Sequence, residues 1–142
     1  MPEKSLAEKM KLRPEHHAGV INPPAGYLKE LEAPRTMKPS ARLDDGPFDW
    51  LQIFVKSQAE LKSLAPKLLA ALKPVSMLWV SFPKGTSTIQ TDLTRDKGWR
   101  PLEPLGLKWI NLVSVNETWS AFALRPHRAG EKKQKSWIGT RE

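Results

Sequence analysis

The sequence has no cysteine among its 142 residues. This excludes disulfide bonds, thiolate nucleophiles and thiolate metal sites together. It also has no run approaching the ~20 apolar residues of a membrane-spanning helix. The start of the chain carries four lysines or glutamates before position 10 and no apolar signal-peptide core. We therefore expect a cytoplasmic protein that does not contact a membrane.

A glycine-rich phosphate loop is also missing. The segment LWVSFPKGTST, residues 78–88, leads from a buried strand into Lys84, Gly85 and three hydroxyl side chains. A phosphate-binding loop requires G-x-x-x-x-G-K-[ST], in which several N–H groups converge on the anion, and this segment has one glycine in the wrong order. An ordinary strand end followed by a polar turn explains the pattern, and an anion site built on Lys84 remains the alternative.

The first turn, INPPAGY at residues 21–27, argues against a nucleotide cofactor. Its two prolines supply no N–H donors, and Gly26 is the only glycine that gives the backbone of this turn conformational freedom. Dinucleotide-binding and methyltransferase folds need a glycine-rich turn at this place, where the backbone approaches the cofactor. We expect no cofactor.

Catalytic and metal-binding patterns are weak. His16 and His17 are adjacent, so they point in opposite directions on an extended segment, and His127 lies in the C-terminal tail. Asp44 and Asp45 belong to a DDGP turn. The sequence predicts no catalytic residue and no metal site, and it favours a protein that is not an enzyme.

The net charge of +8 is carried mostly by the flanks of the chain. Residues 1–43 contribute +3, residues 44–125 contribute +2 and residues 126–142 contribute +3. A duplex-binding domain usually has a dense basic face, and no such face is predicted in the near-neutral centre. Nucleic-acid binding is therefore not the expected function, and weak binding through the basic flanks is a further alternative.

Alternating apolar and helical patterns predict an α/β layered domain. Five apolar segments have the composition of strands: residues 18–21, 48–55, 77–82, 108–115 and 119–125. Three helices are predicted. The first covers residues 6–12 after a capping box of Ser5 with Glu8, and the second is the stretch bearing Tyr27, Leu28 and Leu31. The third follows a capping box of Ser57 with Glu60, and Pro66 should kink or split it. Residues 91–106 should form short broken turns.

Strands that alternate with helices predict a mostly parallel sheet. The expected fold is a single Rossmann-like α/β domain over residues 1–125, with about five strands and a C-terminal antiparallel hairpin. Residues 34–47 are expected to form a long loop, and residues 126–142 a flexible basic tail. Four tryptophans on strands, Trp50, Trp79, Trp109 and Trp119, are expected in the core, whereas Trp137 could bind a partner or fold back on the domain.

Several segments together resemble a known family: VINPPAGY, FDWLQIFVKSQAEL, LWVSFPKGTSTIQTDLT and GLKWINLVSVNETWSAFAL. In this order, over residues 5–125, they resemble a family of short bacterial proteins known only as a domain of unknown function. The layout also resembles a pared-down Rossmann-type class I methyltransferase. The resemblance implies a fold and assigns no activity.

Ligands of open α/β sheets bind beyond the carboxyl ends of the strands. That rule selects a set of candidate ligand-binding residues: Asn22, Gly26, Tyr27, Lys84, Thr86, Ser87 and Asn116. The leading hypothesis is a non-catalytic binding or regulatory domain with a small anionic molecule or a protein as its partner. The alternative is a nucleotide- or anion-binding protein or enzyme that uses a pocket around Lys84.

Overall fold

The protein is built on one open sheet of five strands in the order β1-β2-β3-β5-β4. The computed structural model describes residues 6–33, 38–85, 89, 91–94 and 98–126. The strands are β1 (Ala18–Ile21), β2 (Phe48–Phe54), β3 (Leu72–Pro83), β4 (Leu107–Ser114) and β5 (Trp119–Pro126). The α-helices are α1 (Leu6–Lys9), α2 (Tyr27–Leu31) and α3 (Gln58–Leu68), and 3-10 helices span Leu43–Asp45, Leu69–Ala71 and Arg100–Leu105.

The sheet is mixed, so the prediction of a mostly parallel, Rossmann-like sheet is wrong. The β1–β2 and β2–β3 pairs are parallel, whereas β5 is antiparallel to both β3 and β4. The physical reason is the way in which the chain leaves β3. No α-helix is described between β3 and β4, and the second strand of the hairpin, β5, inserts beside β3. More than half of the paired residues are consequently in antiparallel ladders, and the domain is rich in strands with few helical turns.

The five strands nevertheless lie where the apolar segments predicted them, and β4 and β5 form the expected antiparallel hairpin. The largest difference is β3, which begins at Leu72 rather than residue 77. Pro74 is tolerated there because β5 pairs with β3 only from Leu78 onward and because the pairing of β3 with β2 is interrupted between Leu72 and Met77.

Each face of the sheet is covered by a separate apolar cluster. One cluster includes Ala7 of α1, Met10 directly after that helix and Tyr27 of α2, packed on Trp50 and Trp79. The other includes residues of α3 and of the 3-10 helix Arg100–Leu105. Alternate residues of each strand enter opposite clusters, which accounts for the continuous apolar runs that the sequence shows.

The strand tryptophans are buried, as predicted, with 0 to 7% of each side chain exposed. Trp50 and Trp79 both donate their indole N–H to the Met10 carbonyl, at 2.8 and 3.0 Å. Trp99 lies in a segment from which only broken turns were expected, yet it is fully buried. Its ring meets those of Phe82, Trp109 and Phe122 edge to face.

Helix α3 starts with the predicted cap. Ser57 Oγ accepts the N–H of Glu60 at 3.1 Å, and the Glu60 carboxylate accepts the N–H of Lys56 at 2.7 Å. The helix continues through Pro66 to Leu68 and then tightens into a 3-10 turn, so Pro66 does not split it. The Ser5 half of the first predicted cap lies outside the described residues, and α1 ends at Lys9.

The predicted long loop partly covers the outer side of β1, the first strand of the sheet. Residues 34–37 lie outside the described part of the chain, but Ser40 exchanges two backbone hydrogen bonds of 2.8 Å with Ala18 and Val20 of β1. Gly19, between those residues, packs so closely on Phe48 that an added Cβ would lie 2.9 Å from its ring. A larger residue at position 19 would therefore displace the Phe48 ring.

Candidate functional site

The carboxyl ends of β1, β2 and β3 share one edge of the sheet with the β4–β5 turn. Asn22 follows β1 and Lys84 follows β3, while the Lys84 N–H donates to the Thr118 carbonyl at 2.7 Å. The turn carrying Asn116 and Thr118 therefore lies directly beside the end of β3. Asn22 and Lys84 share one edge because β1 and β3 are parallel to β2. Asn116 lies on the same edge because the β4–β5 turn is beside the end of β3.

Two lysines from distant parts of the sequence meet at Ser114, the last residue of β4. Lys84 Nζ donates to Ser114 Oγ at 2.7 Å, and Lys9 Nζ donates to the Ser114 carbonyl at 2.8 Å. Lys9 is exposed, and Lys84 is partly buried. The sequence singled out Lys84 but not Lys9, because only the docking of α1 on the sheet brings the two cations together.

Asn116 organises the turn next to this pair of cations. Its side-chain oxygen accepts the N–H groups of Thr118 and Trp119, both at 2.9 Å. Its amide N–H₂ donates to Glu30 of α2 at 2.8 Å. The side chain thus fixes the turn, links it to α2 and leaves one of its two amide hydrogens for another acceptor.

Asn22 and Gly26 hold the turn between β1 and α2. Asn22 has φ 57 and Gly26 has φ 80, both in the left-handed region, which asparagine and glycine tolerate. The Tyr27 N–H donates to the Pro24 carbonyl at 3.0 Å. Because the helix that follows has only five residues, this turn differs from the long helix start on which dinucleotide-binding folds hold a pyrophosphate.

Tyr27 points into the protein rather than toward this edge. It is 1% exposed, and its hydroxyl donates to Gln52 Oε1 at 2.6 Å. Gln52 Nε2 in turn donates to Ser81 Oγ at 2.8 Å. Burial raises the pKa of the Tyr27 hydroxyl above its usual value of 10.0, so this side chain stays neutral and joins α2 to β2 and β3.

Thr86 and Ser87, the predicted hydroxyl donors, lie outside the described residues. Asn22 lines a shallow cavity of about 320 Å³ together with Ala59, Glu60, Ser63 and Leu64 of α3, and Lys84 is not part of that lining. Asn22, Lys84 and Asn116 therefore share an edge of the sheet, but Asn22 is the one described candidate among the residues that line this cavity.

The N-terminus of α3, which also lies at this edge, already has hydrogen-bond acceptors from the chain itself. Asp92 Oδ1 accepts the N–H of Gln58 at 2.8 Å, and the Asp92 carbonyl accepts the Gln58 side-chain amide at 3.0 Å. Ser57 accepts a further N–H, from Glu60. These partners satisfy helix N–H groups that would otherwise attract an external phosphate.

A second polar cluster, at the amino ends of the strands, was not predicted. The Asp49 carboxylate accepts the His17 N–H at 2.7 Å and contacts Lys73 Nζ at 2.9 Å. The hydrogen bond from His17 and then that from Lys73 hold the pKa of Asp49 below its usual value of 3.8. The His17 ring stacks on Phe48 and its Nε2 lies 2.8 Å from the Asp45 carbonyl. These contacts join β1, β2 and β3, so the cluster serves the fold.

Within the described ranges, no three histidine, aspartate or glutamate side chains lie close enough together to hold a metal ion. Among the described residues, no helix is long and apolar enough to cross a membrane.

No protein family matches the chain in a comparison with family models, and no curated protein matches it either.

Proposed function

We propose that the protein is a non-catalytic, cytoplasmic binding protein for a small anionic ligand, held at the carboxyl edge of the sheet beside Lys84. One observation carries the proposal: the ammonium groups of Lys9 and Lys84 both lie within hydrogen-bonding distance of the single residue Ser114. The resemblance to the short bacterial family stays a prediction, and it assigns no activity of its own.

Two ammonium groups held near one another repel, and an anion between them removes that repulsion. The interaction energy of unit charges about 4 Å apart is on the order of 1 kcal/mol in water and about 4 kcal/mol near a protein surface. Each ammonium is a positively charged hydrogen-bond donor and is held at Ser114. The two charges suit a ligand with several oxygen atoms, such as a phosphate or a carboxylate.

The surroundings of the two lysines fit binding better than chemistry on the ligand. Ser114 and Asn116 add a hydroxyl and an amide, which are hydrogen-bonding groups. Glu30 accepts from Asn116 at 2.8 Å and so holds the turn in place. We assign these residues to positioning and recognition, with Lys9 and Lys84 as the charged contacts.

The test is the thermal stability of the protein with phosphate, sulfate and adenosine nucleotides. A ligand at 100 times its dissociation constant stabilises the state that it binds by about 2.7 kcal/mol, which corresponds to a rise of several degrees in Tm. We expect this rise in the parent protein, and we expect Lys84→Ala and Lys9→Ala each to reduce it strongly without changing the fold.

Lys67→Ala is the matched control, because Lys67 is an exposed lysine in the last turn of α3. It should leave the ligand-induced rise in Tm unchanged. The proposal fails if none of the anions raises the Tm of the parent, or if they raise that of Lys84→Ala equally. Nucleic-acid binding through the basic flanks would instead give affinity for an oligonucleotide that falls steeply with salt and does not depend on Lys84.

A further inference from the structure

A shallow apolar groove lies between α3 and the 3-10 helix Arg100–Leu105. It has a volume of about 250 Å³ and is lined by Lys62, Ala65, Pro66, Pro101 and Leu105. All but one of these side chains are apolar, and lysine contributes an apolar stem below its charge. Leu69, one helical turn beyond Ala65 and Pro66, extends this apolar surface and is 46% exposed. The groove is distinct from the anion site, which lies at the carboxyl edge of the sheet.

The chain leaves the sheet next to this groove. Pro126, the last residue of β5, pairs with Leu107, which lies only two residues beyond Leu105 in the sequence. The sixteen residues that follow, 127–142, lie outside the described part of the chain. Pro126, from which they continue, therefore lies near the groove wall formed by Leu105.

The tail contains one pair of large apolar residues, Trp137 and Ile138, in an otherwise polar and basic stretch. We propose that the groove between α3 and the 3-10 helix Arg100–Leu105 binds Trp137 of the same chain. The distance is suitable, because the eleven residues from Pro126 to Trp137 reach at most about 40 Å when extended. As a flexible linker they span about 17–20 Å on average.

Apolar contact rather than charge drives this docking. The groove contributes Lys62 and the tail is itself basic, so the charges do not attract. An indole ring buries 150–250 Å² of surface when fully enclosed, and the linker keeps its effective concentration near the millimolar range. A weak contact is therefore sufficient, and it should persist when the salt concentration is raised.

The experiment is a proton–nitrogen correlation spectrum of the full-length protein, in which each of the six tryptophans gives one indole N–H signal. Trp137→Phe identifies the Trp137 signal by its loss. We expect this signal away from the position of a free indole, and we expect Leu105→Gln and Pro66→Glu to move it to that position. Pro66→Glu is the safer variant, since Pro66 is exposed and glutamate supplies the helix N–H that proline lacks. The other five signals report whether the fold is kept.

Leu28→Gln is the control, because Leu28 is 48% exposed on α2, a helix that covers the opposite face of the sheet. It should leave the Trp137 signal in place, and so should 0.5 M salt. A Trp137 signal at the free-indole position in the parent protein would overturn the proposal, as would a signal that the two groove variants do not move. A signal that shifts with protein concentration would mean that the tail binds a second copy, which also overturns it.

Discussion

At the scale of single residues, the buried polar chain of Tyr27, Gln52 and Ser81 shows how α2 is held on the sheet. The hydroxyl of Tyr27 donates to Gln52, and the Gln52 amide donates to Ser81. All three residues are almost completely buried, at 0 to 1% exposure. A buried polar group that loses its partner costs about 1–3 kcal/mol, so each member depends on the next.

We expect Tyr27→Phe to lower the free energy of unfolding by about 1–3 kcal/mol, because it leaves the Gln52 oxygen without this donor. Gln52→Met should cost a similar amount, since it leaves the hydroxyls of Tyr27 and Ser81 without their partner. The double variant should cost clearly less than the sum, because residues in one network are coupled by about 0.5–3 kcal/mol. Urea melts of the four proteins give the coupling. Additive losses would mean that the chain of hydrogen bonds does not stabilise the fold.

The sequence revealed the apolar part of this core but not its polar part. Trp119 could be placed in the core from its position in a strand, because burial follows from a local pattern. Gln52 sits in the same kind of pattern, yet its partners are 25 and 29 positions away in the sequence. Met10 likewise accepts two indole donors, from residues 40 and 69 positions away. Such partners are fixed by tertiary packing, and no local signal marks them.

At the scale of elements, α3 keeps a proline that a helix interior normally disfavours. Pro66 lies inside α3, where it cannot donate the backbone hydrogen bond to the carbonyl of Lys62, four residues earlier. The side chain is exposed, and its ring forms part of the groove wall. Burial of the Pro66 side chain in the core therefore does not offset the loss of helix stability.

Replacing Pro66 by alanine should stabilise the folded domain by about 2–2.6 kcal/mol. The helix penalty of proline is about 3 kcal/mol relative to alanine, and the greater freedom of the unfolded alanine chain offsets about 0.4–1 kcal/mol of that gain. Thermal melts at fixed pH measure the change. The comparison variant is Lys67→Ala, which alters the next residue without changing any backbone donor. A lower Tm for Pro66→Ala would show that the proline ring makes contacts worth more than the helix bond.

Elements were easier to locate from the sequence than to connect. The strand segments were found from residue composition alone, but which strands pair depends on contacts between distant segments. Asn116 illustrates the point, since the turn that it stabilises was recognisable as a hairpin from the spacing of the two strands. That β5 rather than β4 lies next to β3 is decided by packing, such as that of Phe122 against Phe82. The parallel-sheet prediction was wrong for this reason.

At the scale of the whole molecule, the two proposed binding features lie on different parts of the domain and draw on different physics. The pair of lysines at Ser114 would recognise charge and weaken as salt rises, whereas the groove between α3 and Arg100–Leu105 would hold an apolar side chain and resist salt. Neither needs the other, so a variant at Lys84 should leave the Trp137 signal unchanged. The opposite experiment, a groove variant, should leave the anion-induced rise in Tm unchanged.

The last prediction concerns the boundary between domain and tail. The sequence beyond Pro126 is polar and basic and has no strand or helix period, and such terminal segments are the preferred sites of proteolysis. Trypsin should therefore cut first between Arg128 and Lys135, where the chain has four basic residues. The proposed docking of Trp137 would leave this linker accessible, because the groove would bind only residues beyond it.

Mass spectrometry of a time course should first show a product that ends between residues 128 and 135. Its melting curve should stay cooperative, because every described helix and strand lies within residues 6–126. An earlier cut at Arg35 or Arg95, each in an internal segment outside the described residues, would contradict the boundary. Cleavage of the linker no faster than that of the strands would do the same, since it would mean that residues 128–135 are packed on the domain along with Trp137.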